Sequence, residues 1–307
     1  METGPPLGII GSPRDEQVAR VARRLRDRGS EPLILNLRTF PAKARLSLFD
    51  GVPSVTGVDI TAVRSWYIRS IPLPLPFLAA SPRDYAAGRE QRSFVTSFVA
   101  AVQRAGASLV NPPELFSQHF LKLEQLERIR GAGVPVPPTL ATNDPAAVVD
   151  FARRNDGTLV YKPVAGGGRC RRVSLDDLGD DRLGRLASAP VLFQEEVPGR
   201  NVRVYVVGGE VVAVYEIISN EVDYRGSETA VIPIEASDDE RKACRRAAEA
   251  CELVFTGIDL KRRPDGRFAV LECNPSPMFA AIERRTGQSA ISEALAELLL
   301  RAAAPTR

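Results

Sequence analysis

Two periodicities alternate along the chain, and the switches between them outline its elements. Residues 7–10 form an unbroken apolar run that reads as a buried strand, closed by the turn Gly11-Ser12-Pro13. Over residues 14–28 the apolar positions Val18, Val21, Ala22 and Leu25 recur at helical spacing, and Gly29 stops the helix. Residues 32–37 are strand-like again, so the chain opens β-α-β, the start of a parallel sheet. Residues 46–49 and 52–55 predict a small hairpin over Asp50-Gly51, and 63–68 a further strand. The alternating prolines of 71–76 exclude a helix or a central strand there. A long helix is expected over 82–105, stopped by Gly106, with a strand at 108–111. Beyond a linker at 112–120, helices are predicted over 120–130 and, behind the cap Asn143-Asp144-Pro145, as far as Arg154. Strands follow at 158–163, 173–175 and 191–196. Residues 202–207 and 211–218 form a hairpin over Gly208-Gly209, and 238–251 is helical. Two apolar runs, 255–260 and 268–273, flank a turn rich in Arg, Pro, Asp and Gly. A closing helix over 288–304 carries Ile291, Leu295, Leu298 and Leu299 on one face.

Composition narrows the function classes. A chain of 307 residues, 44% hydrophobic and 26% charged, is ordinary for a globular protein of two or three lobes. A net charge of +3 gives no ground for a nucleic-acid partner. Four cysteines without C-x-x-C spacing and a single histidine, His119, speak against a zinc centre and against Cys–His or Ser–His nucleophilic pairs. Cys273 is read as a packing residue. Gly8 and Gly11 do not complete G-x-G-x-x-G, which excludes a dinucleotide site. No basic-then-apolar leader pattern opens the chain and no apolar run approaches membrane-spanning length. A cytoplasmic protein without membrane contact is expected.

Three stretches carry candidate chemistry. In T-G-I-D-L-K-R-R-P-D-G-R-F-A-V-L-E-C-N-P, residues 256–275, Glu272 and Asn274 are two apart and share one side of a strand, with Asp259 across the hairpin. Two carboxylates and an amide converging this way suit Mg²⁺; a solvated hairpin edge reads equally well. In L-V-Y-K-P-V-A-G-G-G-R-C-R-R-V, residues 159–173, a strand-end lysine, Lys162, precedes a triple glycine whose backbone can approach phosphate, or simply turns in solvent. In L-F-Q-E-E-V-P-G-R-N-V-R-V-Y-V, residues 192–206, a strand breaks at Pro198-Gly199 and resumes. Such a hinge can offer backbone groups to a purine edge, with Asn201 toward a ribose and Arg203 toward a phosphate; solvated strand ends and a salt-bridged arginine are the plain alternatives.

The order of the pieces is more telling than any one of them: Lys122 at a helix start, Lys162 with its glycines, the E-E-V-P-G hinge, Arg203, then D…E-x-N. This order resembles the ATP-grasp superfamily, in its RimK-like branch, from Lys122 to the end of the chain. The resemblance implies an α/β ATP-grasp fold: an N-terminal parallel-sheet domain over 1–115, a central lid subdomain over 116–188 and a C-terminal subdomain over 189–307, the last two clasping ATP. It implies Lys122 and Lys162 on ATP phosphates, Gln194, Glu195 and Val197 along the adenine, Asn201 at the ribose, and Arg203 on the transferring phosphate. It further implies Asp259, Glu272 and Asn274 as ligands of Mg²⁺, usually two ions. More narrowly, V-R-S-W-Y-I-R-S-I-P-L-P-L-P at 63–76, P-T-L-A-T-N-D-P at 138–145 and Asp223-Tyr224-Arg225 are similar to the graspetide-type ligases that mature microviridins. Those enzymes join Asp or Glu side chains of a ribosomal precursor peptide to its own Thr, Ser or Lys. Arg225 is then the expected holder of the substrate carboxylate and Asp223 a candidate proton acceptor. A RimK-like ligase adding a free amino acid to a peptide or small carboxylate, and a non-catalytic nucleotide-binding module, are the other readings. The partners implied are a precursor peptide or a small carboxylate and amine, and a homodimer is compatible with them.

Overall fold

The computed structural model of the chain describes residues 7–71, 81–165, 168–174 and 176–304. The proline stretch beyond Ile71, Gly166, Gly167 and Leu175 lie outside the described residues. In chain order the first elements are β1 (Leu7–Ile10), α1 (Glu16–Asp27), β2 (Leu33–Leu35), β3 (Leu46–Phe49), β4 (Val52–Val55), β5 (Val58–Asp59), β6 (Ser65–Ile68), α2 (Pro82–Arg104) and β7 (Ser108–Val110). Then come α3 (Lys122–Gly131), β8 (Thr139–Thr142), α4 (Pro145–Arg154), β9 (Leu159–Pro163), β10 (Arg171–Arg172), α5 (Asp180–Leu183), β11 (Val191–Glu195), β12 (Arg200–Val207) and β13 (Glu210–Ile218). The last are β14 (Ala230–Pro233), α6 (Asp238–Ala250), β15 (Phe255–Arg262), β16 (Phe268–Asn274), α7 (Ala280–Thr286) and α8 (Ala290–Ala303).

These elements form two compact units. The first is built from the chain up to Glu114 together with 278–284 and 288 onward, the second from 115–277 and 285–287. In the first, β1 pairs in parallel with β2 and β6, and β6 with β7, giving the order β2-β1-β6-β7. β1 and β6 are buried at every position, as expected of parallel strands covered on both faces. Asp15 caps α1 by accepting the Gln17 N–H at 2.8 Å, and α1 buries Val18, Val21, Ala22 and Leu25. The final helix α8 belongs to this unit, although sequence order grouped it with residues 189–307. Its buried face of Ile291, Leu295, Ala296 and Leu299 packs against α1, β1, β6 and β7, and Leu298 is half-buried.

The second unit holds two antiparallel sheets, β10-β9-β11-β8 and β14-β13-β12-β15-β16. The two sheets share no ladder, and β11, which lies beyond the expected boundary at 188, pairs with β8 and β9 in the first of them; we propose that the subdivision of this unit falls after β11. The five-stranded sheet is built on the alternation along β12. Val202, Val204 and Val206 join Ile258, Leu260, Val270, Cys273 and the α6 residues Ala243, Cys244 and Ala247 in one core, with Ile129 of α3. Asn201, Arg203 and Tyr205 take the opposite face. Ser237 and Glu240 close a capping box at the start of α6. Where the sequence pattern predicts a strand at 173–175, the short strand is Arg171–Arg172, paired to Tyr161 and Val160. Elements of 2, 4, 4 and 7 residues (β5, β14, α5 and α7) are too short for a periodicity to reveal them.

Candidate active site

The site face of the five-stranded sheet carries a row of charged side chains. Arg203 on β12 lies directly across from Asp259 on β15, and Asp259 directly across from Glu272 on β16. Asn274, two residues beyond Glu272, sits opposite Gly257. Arg203 Nη1 approaches Asp259 Oδ1 at 2.6 Å, and its guanidinium lies over the Tyr205 ring, 5.5 Å from the centroid. The arginine fits because residue 257 has no side chain: a Cβ there would stand 2.8 Å from Arg203 Nη2. Between Asp259 and Leu260 the β15–β16 register slips by one residue, so Leu271 has no partner of its own. Leu271 and Glu272, consecutive on the strand, both line the cleft as a result.

Lys122, from the first turn of α3, forms an ion pair with Glu272. Lys162 at the end of β9 approaches Gln194 Oε1 at 3.4 Å, and Gln194 in turn donates to Thr139 Oγ1 at 2.9 Å. Burial pushes the Lys162 ammonium below its ordinary pKa, against the attraction of Glu272 and with the repulsion of Lys122. Burial also pushes the Glu272 carboxyl up, but Lys122, then Lys162 and Arg203, outweigh it and hold that carboxyl at about 2. Asp259 moves the other way: burial raises its pKa, Arg203 opposes the rise and the charge of Glu272 adds to it. Arg203 itself is held well above the ordinary guanidinium value, because Asp259 and Tyr224 overcome its burial.

The cleft above this row encloses about 880 Å³ of non-atom space, part of it open to solvent. Lys122, Lys162, Gln194, Glu195, Val197, Asn201, Arg225, Asp259 and Glu272 all line it; Arg203 and Asn274 stand in the row beneath. Glu195 Oε1 accepts from Arg263 at 2.8 Å and Asn201 Nδ2 reaches the Ile217 carbonyl at 3.4 Å, so both side chains are already engaged. Val197 is buried at the hinge. Arg225 forks onto Asp223 at 2.8 and 2.5 Å. Asp223 also accepts the Cys170 N–H at 2.9 Å. Burial works against its ionisation, but Arg225 and the Cys170 N–H bring its carboxyl down to about 2. A carboxylate that acidic is a weak base, which argues against Asp223 as the proton acceptor.

Further cleft residues were given no role on the sequence. Lys261 lies two positions after Asp259 on the same strand face, so strand alternation alone could have found it. Cys170 and Tyr224 reach the cleft from turns, which carry no such period.

The donor set can be tested against the ion that the resemblance implies. Asn274 Nδ2 lies 3.4 Å from Asp259 Oδ2 and 3.2 Å from Glu272 Oε1, so one amide bridges two carboxylates. Amide oxygen and nitrogen exchange places by a simple flip, which would bring three oxygens together. Two acids and an amide form a hard-oxygen set that fits Mg²⁺. Among the described residues, no three His, Cys, Asp or Glu side chains cluster in a metal-binding arrangement. Cys273 is buried in the core behind the row, a packing residue as expected.

The chain and its fold resemble known proteins. Residues 189–299 match the RimK-like ATP-grasp domain. The ATP-grasp ligase PsnB, solved with a phosphomimetic variant of a minimal precursor, Mg and ADP, is 35% identical with a TM-score of 0.88, over 99% of this chain and 100% of that one. The macrocyclase MdnC of Microcystis aeruginosa, bound with precursor peptide MdnA, shares the fold at a TM-score of 0.82 and 24% identity, over 96% of this chain and 99% of its own. A probable alpha-L-glutamate ligase of Shewanella amazonensis is 25% identical over 98% of this chain and 97% of its own. With relatedness at this level along nearly its whole length, and with the charged row and cleft in place, the chain belongs to the ATP-grasp ligases, in their RimK-like branch.

Proposed function

We propose that the protein uses ATP to activate an Asp or Glu side chain of a ribosomal precursor peptide and joins it to a Thr, Ser or Lys side chain of the same peptide, as in graspetides. The observation that carries this reading is the 35% identity over 99% of the chain to a ligase solved with a minimal precursor, Mg and ADP. The substrate carboxylate attacks the γ-phosphorus, ADP leaves, and an acyl phosphate forms. The hydroxyl or amine then attacks the acyl carbon, loses its proton and expels inorganic phosphate.

The side chains would act by charge and position rather than by covalent chemistry. Lys122, Lys162 and Arg203 present three cations to the phosphates, with Arg203 braced by Asp259 toward the transferring group. Gln194, Glu195 and Val197 would line the adenine and Asn201 the ribose. Asp259, Glu272 and Asn274 would hold Mg²⁺, two ions in this reading, and the metal when bound offsets phosphate charge. Arg225 already grips Asp223 through Nε and Nη2, and its remaining nitrogen, Nη1, would grip the substrate carboxylate. Among the described residues no helix is long and apolar enough to cross a membrane, and dependence on ATP favours a cytoplasmic location.

A second reading, addition of a free amino acid to a peptide or small carboxylate, draws on the curated relatives named as alpha-L-glutamate ligases. ADP release screened against candidate peptides and free amino acids, with mass spectrometry of the product, separates the two. Loss of one water per linkage supports the macrocycle. Gain of a residue mass with free glutamate supports the second reading and refutes the first.

A further inference from the structure

Tyr224 stands between two residues of discussed function and has none assigned itself. It lies on the turn between β13 and β14, where the Ser227 N–H returns to the Tyr224 carbonyl at 2.9 Å. Its hydroxyl donates to Asp259 Oδ1 at 2.6 Å. That is the oxygen that Arg203 Nη1 approaches at 2.6 Å, while Asn274 Nδ2 stands 3.4 Å from Oδ2. A carboxylate oxygen accepts about two hydrogen bonds. Oδ1 is therefore filled by one cation and one neutral donor, and the capacity of Asp259 is left on Oδ2, beside Glu272 and Asn274. A phenol achieves this without adding charge to a row that already has three cations near two carboxylates.

The residues on either side of Tyr224 hold its turn in place. Asp223 Oδ2 accepts the Cys170 N–H at 2.9 Å, and Arg225 Nη2 donates to the Gly168 carbonyl at 2.7 Å. Three consecutive side chains thus connect the segment just before β10 to the carboxylate row: the outer two grip the backbone of Cys170 and Gly168, and the middle one grips Asp259.

We propose that Tyr224 is a positioning residue that directs Asp259 Oδ2 toward a divalent cation, and that Asp223 and Arg225 anchor it by tying its turn to Cys170 and Gly168. The inference rests on the reading of Asp259 as a metal ligand and of the cleft as the nucleotide site.

The test is calorimetric binding of ADP with and without Mg²⁺ to wild type and Tyr224→Phe, joined to hydrogen exchange of the ligand-free proteins. Removing one hydrogen bond to a charged acceptor is expected to weaken ADP binding about tenfold in the presence of Mg²⁺. Without the metal, affinity should stay within about twofold, a split that general loosening of the fold would not produce. In ligand-free protein, Asp223→Ala should speed exchange at Cys170 at least about tenfold, whereas Tyr224→Phe should leave it unchanged. Equal losses with and without Mg²⁺, or no loss with it, overturn the positioning role. An unchanged Cys170 rate in Asp223→Ala overturns the anchoring. Wild-type protein that binds no ADP at all overturns the nucleotide reading itself, while the exchange result stands apart from it.

Discussion

Glu272→Gln is the most informative single change, because it removes one charge and almost no volume. Around Glu272, three cations (Lys122, Lys162 and Arg203) face two carboxylates; in the variant they face one. The native carboxyl sits at about 2 instead of the ordinary 4.5. At about 1.4 kcal/mol per tenfold change, that difference favours the charged form in the folded state by about 3 kcal/mol. Solvent reaches 26% of the side chain, so the stability lost in the variant should fall at about 1–3 kcal/mol. The sign follows from linkage: a carboxyl held below its unfolded value contributes stability above about 4.5 and loses it as pH falls through about 2. The gap between wild type and variant should therefore be widest near neutrality and should close in acid, where Glu272 carries a proton and resembles Gln. Trp66, the single tryptophan, lies in the first unit and does not report on this sheet. Native-state hydrogen exchange at the β15 and β16 amides does, and urea unfolding by far-UV circular dichroism, from about pH 7 to about pH 3, gives the pH course. A gap that does not change with pH, or a variant more stable than wild type at neutrality, refutes the argument. ADP release should be abolished in the same variant, and unchanged turnover would sink the metal assignment.

Three further outcomes are expected. Lys162→Ala should weaken ATP binding about tenfold or more in calorimetry while changing stability little, since the buried ammonium it removes is costly to hold charged; unaltered affinity would remove Lys162 from the phosphate site. Arg225→Ala should weaken ATP binding by no more than the about tenfold expected of Tyr224→Phe, yet lose about a hundredfold or more in product formation, and a full-rate variant rules out its substrate role. Gly199→Ala should destabilise by about 2–4 kcal/mol, read as a lowered thermal midpoint. Residue 199 has φ of +125° and a Cβ there would stand 2.1 Å from the Arg262 carbonyl oxygen, so an unchanged midpoint would contradict the hinge geometry.

Much of this protein is written in local pattern. Val202, Val204 and Val206 alternate with Arg203 and Tyr205, and this alone assigns one face of β12 to the core and the other to chemistry. The two-residue spacing of Glu272 and Asn274 likewise puts both on one side. Asp15, Asp144 and Ser237 mark helix starts because a short side chain one step before a helix can satisfy its free N–H groups. These are rules of one or two turns of chain, so a sequence carries them openly. Other features depend on which segment pairs with which, and in what register. The ladder aligns Arg203, Asp259 and Glu272 in one row, and a one-residue slip turns Leu271 toward the cleft when strict alternation would send it into the core. Lys122 meets Glu272 from 150 residues away, and α8 crosses back to the first unit on the strength of an apolar face that could have packed elsewhere. Tyr224, on a turn with no period, meets Asp259 from 35 residues away, while Asp223 and Arg225 on either side bond the backbone of Cys170 and Gly168. Which face a residue takes is decided by its neighbours along the chain; which residue it meets is decided by burial and pairing across the whole fold, where no local rule reaches.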